Sequence, residues 1–188
     1  AEFKPAEFRV ASGAGDDTVA TSFFDVFFDI DVEIDTGDGD DFIDAVLLNP
    51  GPPDLPAGTI ELAISAGDGN DRAALLLPAV QAAREAAHKV NVDLGDGDDA
   101  LELEMHGVPL PEGAKPAEFK PAEFRVLGGA ANDTVATSFF DVFFDIDVEI
   151  DSGDGDDFID AVLQTPGPPD LPAGTIELAI SAGDGNDR

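Results

Sequence analysis

Residues 1–72 and 117–188 are one sequence written twice, 116 residues apart, differing at seven positions. Those positions are Ala11/Leu127, Ser12/Gly128, Gly15/Ala131, Asp16/Asn132, Thr36/Ser152, Leu48/Gln164 and Asn49/Thr165. Near-identical units in tandem bury their apolar faces by stacking on one another, which points to a repeat architecture rather than a single closed core. Residues 1–116 form a first repeat unit and residues 117–188 a second, incomplete one. Arg188 matches Arg72, which runs straight on into "AALLLPAVQ", so the chain reads as a window onto a longer array.

A shorter period lies inside each unit. Take the second residue of each turn as an anchor: Gly13, Gly37, Gly67, Gly95, Gly129, Gly153 and Gly183. Five residues before the anchor stand Phe8, Val32, Leu62 and Val90, and three before stand Val10, Ile34, Ile64 and Val92. Six, eight and ten residues after it come Val19, Ile43, Ala73 and Leu101, then Thr21, Ala45, Leu75 and Leu103, then Phe23, Leu47, Leu77 and Met105. The intervening positions are mostly polar. Alternation of period two on both sides of a glycine turn predicts strand–turn–strand, four modules to a unit.

The run "FFDVFFDIDVEID" carries the same parity, with Phe24, Val26, Phe28, Ile30, Val32 and Ile34 on one face and Phe27 the misfit. The adjacent pair Phe23–Phe24 implies a corner. "NPGPPDLPAG" (49–58) and the stretch 106–125 are proline-rich and read as loops or linkers, because proline donates nothing to a sheet ladder. "PAVQAAREAAHK" (78–89) is rich in helix formers behind a proline, which predicts one short helix per unit. Two architectures satisfy this parity: a parallel β-solenoid with all turns in one row, or tandem β-sandwich domains with turns at both ends.

Charge narrows the partners. There are 41 acidic against 9 basic side chains, a net charge of −32, yet 43% of the residues are hydrophobic. Such a chain can bury a core, repels nucleic acid and anionic membrane surfaces, and attracts cations. Two like charges ~5 Å apart repel by about 0.8 kcal/mol even in bulk water, so clustered aspartates need a counter-charge. Cysteine is absent, which removes disulfides, thiol catalysis and zinc–thiolate sites. The opening "AEFKPAEFRV" does not read as a signal and looks like the start of an excised or mature piece, and the sequence holds no apolar run of bilayer-spanning length.

The turn "TGDGDDFID" (36–44) resembles the glycine- and aspartate-rich nonapeptide G-G-x-G-x-D-x-U-x of the RTX family of parallel β-rolls, matching at each defined position except the first glycine. The turns beginning at Ala66, Leu94, Ser152 and Ala182 match in the same way. The resemblance implies calcium between successive turns, held by the sixth-position aspartates Asp41, Asp71, Asp99, Asp157 and Asp187 and by backbone carbonyls. The other turn residues expected around the metal are Asp38, Asp40, Asp68, Asn70, Asp96, Asp98, Asp154, Asp156, Asp184 and Asn186. RTX nonapeptides run back to back, whereas these turns stand 24 to 34 residues apart, so each coil is wider and carries one such turn. The turns at Gly13 and Gly129 are degraded by Ala14, Ala130 and Ala131; they keep Asp17 and Asp133 and are expected to bind more weakly.

The chemistry leads to the same ion. Calcium takes six to eight hard oxygens in flexible geometry, whereas magnesium demands a stricter octahedron. An EF-hand is excluded, because its twelfth-position glutamate and flanking helices are missing. His88 and His106 have no nucleophile partner in a motif, and among 41 acidic residues a pair of carboxylates carries no catalytic signal alone. Asn132-Asp133-Thr134 is a glycosylation sequon, but its counterpart Asp16-Asp17-Thr18 marks it as a turn position. "LLLPAVQAAREAA" (75–87) is similar to a segment of a bacterial prepilin-like family; the long apolar stem expected before it is missing, and pilin assembly is not inferred.

The expected function is therefore non-enzymatic: a calcium-binding structural repeat of an extracellular bacterial stalk, fibre or surface layer. Its partners would be neighbouring copies of the same repeat, and glycans. A ligand-binding adhesin module, with Phe27 and Phe143 as contacts, and a carbohydrate-acting β-helix enzyme are the alternatives.

Overall fold

A hairpin sandwich and a solenoid differ in which strands become neighbours. The computed structural model describes residues 5–24, 28–48, 59–79, 88–107, 121–142, 145–164 and 175–188. Its strands are β1 (Ala6–Ala11), β2 (Thr18–Phe24), β3 (Ile30–Asp35), β4 (Phe42–Leu48), β5 (Ile60–Ser65), β6 (Arg72–Ala79), β7 (His88–Asp93), β8 (Ala100–Gly107), β9 (Ala122–Leu127), β10 (Thr134–Phe140), β11 (Ile146–Asp151), β12 (Phe158–Gln164) and β13 (Ile176–Ser181). The odd-numbered strands form one sheet, in order from β1 to β13, and the even-numbered strands form the other, from β2 to β12. Pairing is parallel throughout, and strands consecutive in sequence never pair. The chain is an all-β parallel solenoid with two strands to each coil. The sandwich alternative falls, because hairpins would pair β1 with β2.

The register follows the glycine anchors. Val32 faces Leu62, Leu62 faces Val90, and Val90 faces Phe124 in the odd sheet; Ile43, Ala73, Leu101 and Val135 line up in the even one. These columns meet in a single buried core between the sheets. Each aliphatic side chain so buried contributes roughly 1.5–3 kcal/mol of transfer free energy. Every odd-to-even connection is six residues long, as in 36–41 or 94–99. The even-to-odd connections vary from five residues (25–29) to fourteen (108–121). All the variation in repeat length therefore falls on one edge, and the glycine–aspartate turns are left in strict register on the other.

Three sequence expectations need correction. The stretch 106–125 is no linker at its ends, where His106 and Gly107 close β8 and Ala122 to Arg125 belong to β9. The face assigned to "FFDVFFDIDVEID" is broken: β2 ends at Phe24, β3 begins at Ile30, and Phe24 and Phe28 are exposed. The chain must cross between sheets here, which interrupts the period of two. In the second unit the crossing is marked by Asp141, whose φ of 54° is left-handed, followed by the buried Val142. The helix expected over 78–89 is also displaced at its ends. Pro78 and Ala79 belong to β6, where Pro78 stands opposite His106, and His88 and Lys89 belong to β7. Pairing with neighbouring strands overrides the local alanine propensity. Residues 80–87 lie outside the described residues, as do Phe27, Phe143 and the proline-rich stretches 49–58 and 108–120.

The hydroxyls of Thr21, Thr137 and Ser152 are buried without a hydrogen-bond partner, an avoidable cost. Thr137 occupies an inward column between Leu103 and Ala161, and its Oγ1 is buried without a hydrogen-bond partner. Thr137→Val keeps the shape and removes that hydroxyl, so it is expected to stabilise the fold by about 1–2 kcal/mol, read as a higher urea midpoint.

Candidate metal-binding turn row

Close stacking of the turns rests on glycine at their second position and, in all but the turn 128–133 with its Ala131, at their fourth. Gly37, Gly39, Gly67, Gly69, Gly95 and Gly97 all have φ between +90° and +153°, a region that L side chains rarely adopt. Close approach adds a second requirement. A Cβ on Gly67 would overlap the carbonyl oxygen of Gly37, and one on Gly97 would overlap that of Gly69. Backbone hydrogen bonds then tie the turns together: Gly39 N donates to Asp68 O (2.8 Å), Gly69 N to Asp96 O (2.9 Å) and Gly97 N to Ala130 O (2.9 Å).

On this stack the sixth-position aspartates form a buried column. Asp17 N donates to Asp41 Oδ1 (2.7 Å), Asp41 N to Asp71 Oδ1 (2.8 Å) and Asp71 N to Asp99 Oδ1 (2.7 Å). The row continues from Asp99 N to Asp133 Oδ1 (3.0 Å), from Asp133 N to Asp157 Oδ1 (2.9 Å) and from Asp157 N to Asp187 Oδ1 (3.1 Å). One oxygen of each carboxylate is thereby satisfied. The other is not: Oδ2 of Asp41, Asp71, Asp99, Asp133 and Asp157 is buried without a hydrogen-bond partner.

The fifth position forms a second, exposed column that runs the other way. Asn70 N and Nδ2 both donate to Asp40 Oδ1, at 2.9 and 3.2 Å, and Asp98 N donates to Asn70 Oδ1 at 3.0 Å. Asn132 bridges Asp98 and Asp156 in the same manner, and Asn186 donates to Asp156. Asp and Asn thus alternate from Asp40 to Asn186, so charged neighbours are separated by a neutral amide. The sequence grouped Asn70 and Asn186 with the metal ligands, whereas their side chains are engaged within this ladder. The alternation itself was the available signal. The amide of the Asn132 sequon is occupied likewise, by Asp98.

Burial sets the proton affinity of the inner column. It pushes Asp99 up to about 7 and Asp133 up to about 6, and it raises Asp71; in each case a backbone N–H from the preceding turn offsets part of the effect, and neighbouring aspartates add to it. On the outer column the Asn186 side chain, then its backbone N–H, hold Asp156 below its ordinary value. A carboxyl whose pKa is higher in the fold than in the unfolded chain favours the fold at low pH. That contribution is complete below about 4 and is lost as pH rises through 6 to 7. Free of metal, the protein is therefore expected to have a lower urea midpoint at pH 8 than at pH 5, the reverse of ordinary acid denaturation.

The residues expected around a metal are thus divided by the fold. Asp41, Asp71, Asp99, Asp133 and Asp157 are buried in one column, with Asp17 and Asp187 half-buried at its ends. Asp40, Asp98 and Asp156 lie on the exposed ladder, and Asp38, Asp68, Asp96, Asp154 and Asp184 are exposed at the third position. Among the described residues, no three carboxylate or histidine side chains converge on one point. Carbonyls of the second, third and sixth positions accept inter-turn N–H groups, while those of the fourth and fifth accept no backbone N–H among the described residues. The oxygens left over are the buried Oδ2 atoms and these free carbonyls. They are hard donors, and they suit calcium better than a soft or strictly octahedral ion. His106 is a surface residue, stacked on Phe140 with Nε2 3.2 Å from Glu104 Oε2. No family model, curated protein or solved structure matches the chain.

Proposed function

We propose that this chain is a non-enzymatic structural repeat of an extracellular bacterial stalk, fibre or surface layer, stiffened by calcium between its stacked glycine–aspartate turns. The observation that carries this reading is the column of buried, unpartnered Oδ2 atoms on Asp41, Asp71, Asp99, Asp133 and Asp157. A buried carboxylate with an empty oxygen is costly unless a cation or a proton neutralises it. Five in register form a row of negative charge that a divalent ion offsets most economically. Neighbouring copies of the repeat are the natural partners, because an array of such coils lengthens without changing its cross-section.

Thermal unfolding followed by circular dichroism, with calcium and with a chelator, tests the reading. Three independent sites at a hundredfold excess over their dissociation constants contribute about 8 kcal/mol, so chelation is expected to lower Tm by on the order of 20 °C. An unchanged Tm would remove calcium from the account.

A further inference from the structure

We propose that the coil built on the turn 128–133 depends least on cations, so that it and the strands paired with it keep their fold when the more acidic coils lose theirs. The inference rests on the calcium reading and adds a division of labour among the turns.

Two independent features coincide in this coil. Its turn is the poorest in carboxylates: Ala130 stands where Asp96 and Asp154 stand in the adjacent turns, Asn132 is neutral, and only Asp133 carries charge. Its core is the bulkiest. Five residues before and ten after the anchor, other coils place Val32 with Leu47, Leu62 with Leu77, or Val90 with Met105. This coil places Phe124 with Phe139, both buried, edge to face with centroids 5.4 Å apart. In the first unit Phe8 and Phe23 also pack edge to face, at 5.3 Å, but Phe8 is exposed and the adjacent turn keeps Asp16 and Asp17, so the coincidence is complete only in the second unit.

The stack survives that depletion. Ala130 keeps its backbone bridges to Asp96 and Asp154, so the third-position carboxylate is not needed for stacking. Asn132 donates Nδ2 to Asp98 (3.0 Å) and accepts from Asp156 N (2.9 Å), joining both neighbours without adding charge. Without cations, successive acidic turns ~4.8 Å apart repel; this turn, with Asp133 its one charge, spaces the 94–99 and 152–157 clusters by two coil rises, about a Debye length at 0.1 M salt. Opposing this, Ala131 holds a φ of 90° and Asp133 keeps its buried Oδ2. One carboxylate to neutralise and an edge-to-face aromatic pair still leave this coil the least dependent on metal.

Hydrogen exchange of the full chain, read by mass spectrometry in calcium and in chelator, tests the division. In chelator, the amides of β9 and β10 are expected to exchange roughly tenfold or more slowly than those of β3 and β5, and calcium should slow β3 to β6 while changing β9 and β10 little. Exchange in β9 and β10 as fast as in β5 under chelation overturns the proposal. Equal calcium protection of all strands overturns the division but leaves the calcium reading standing, whereas no calcium effect in any strand removes both. Phe124→Val with Phe139→Leu, the side chains of the other coils, should abolish the chelator-resistant protection while the β signal in calcium is kept. Ala130→Asp with Ala131→Gly should make β9 and β10 respond to calcium. Either variant behaving as the parent chain overturns the proposal.

Discussion

Replacing Gly97 with alanine is expected to destabilise the solenoid by at least about 3 kcal/mol, lowering Tm by roughly 6–12 °C. Two costs combine at this residue. Its φ of 153° disfavours an L side chain, and the new Cβ would fall on the carbonyl oxygen of Gly69, 2.5 Å from the carbonyl carbon. The group met is backbone of the adjacent turn rather than the end of a flexible side chain, so relief requires the turns to move apart; Ala131 takes the same position in the turn 128–133, but at a φ of 90°. The stack would have to open between the 66–71 and 94–99 turns, at the centre of the described coils. Gly13→Ala provides the contrast. Gly13 has a φ of 108° but nothing within 4 Å of an added methyl group, so only the conformational cost of about 1 kcal/mol is expected. Thermal scans of the two variants side by side separate turn stacking from glycine conformation; equal losses would contradict the stacking explanation.

Asp99→Asn should change stability in opposite directions with and without calcium. In the fold, Asp99 Oδ1 accepts the Asp71 N–H at 2.7 Å, a bond that asparagine can keep, and Oδ2 is buried without a partner. Burial, and then the charges of Asp133, Asp71 and Asp98, make the ionised form unfavourable. In chelator at pH 8 the substitution removes that charge and is expected to raise stability by roughly 1–2 kcal/mol. At pH 5 the folded carboxyl is largely protonated and the gain should be smaller, vanishing only below about pH 4, where the unfolded chain is protonated as well. In calcium the same variant loses a ligand oxygen and should be less stable than the parent. Urea midpoints in the four conditions provide the check. A variant that is less stable in every one would make Asp99 an ordinary hydrogen-bonding residue.

The architecture was legible to the extent that it depends on periodicity. The inward columns read from the glycine anchors, such as Val32, Leu62 and Val90 or Ile43, Ala73 and Leu101, are the columns that the parallel register stacks. Alternation alone could not distinguish a solenoid from a sandwich, since both have period two; the choice depends on whether a turn returns the chain to the same sheet. What decided it was the pairing, odd strands with odd and even with even, all parallel. Phe24 and Phe28 were misplaced because a crossing between sheets resets the phase, and no local composition announces where. At the site, the sequence identified the acidic turns but treated their carboxylates as one set. Only stacking separates them, since residues adjacent in sequence such as Asp98 and Asp99 point to opposite sides of the turn, one into solvent and one into the interior. The role of Asn70, Asn132 and Asn186 was visible only as an alternation across units, and its meaning required the hydrogen bonds that run from turn to turn.

Native mass spectrometry of the chain equilibrated with calcium tests the central claim most directly, because it counts ions. Three pairs of consecutive turns carry aspartate at both the third and sixth positions: 36–41 with 66–71, 66–71 with 94–99, and 152–157 with 182–187. The account predicts at least three calcium ions per chain, lost on chelation and not displaced by equimolar magnesium. A spectrum of the folded chain with no bound calcium would contradict it.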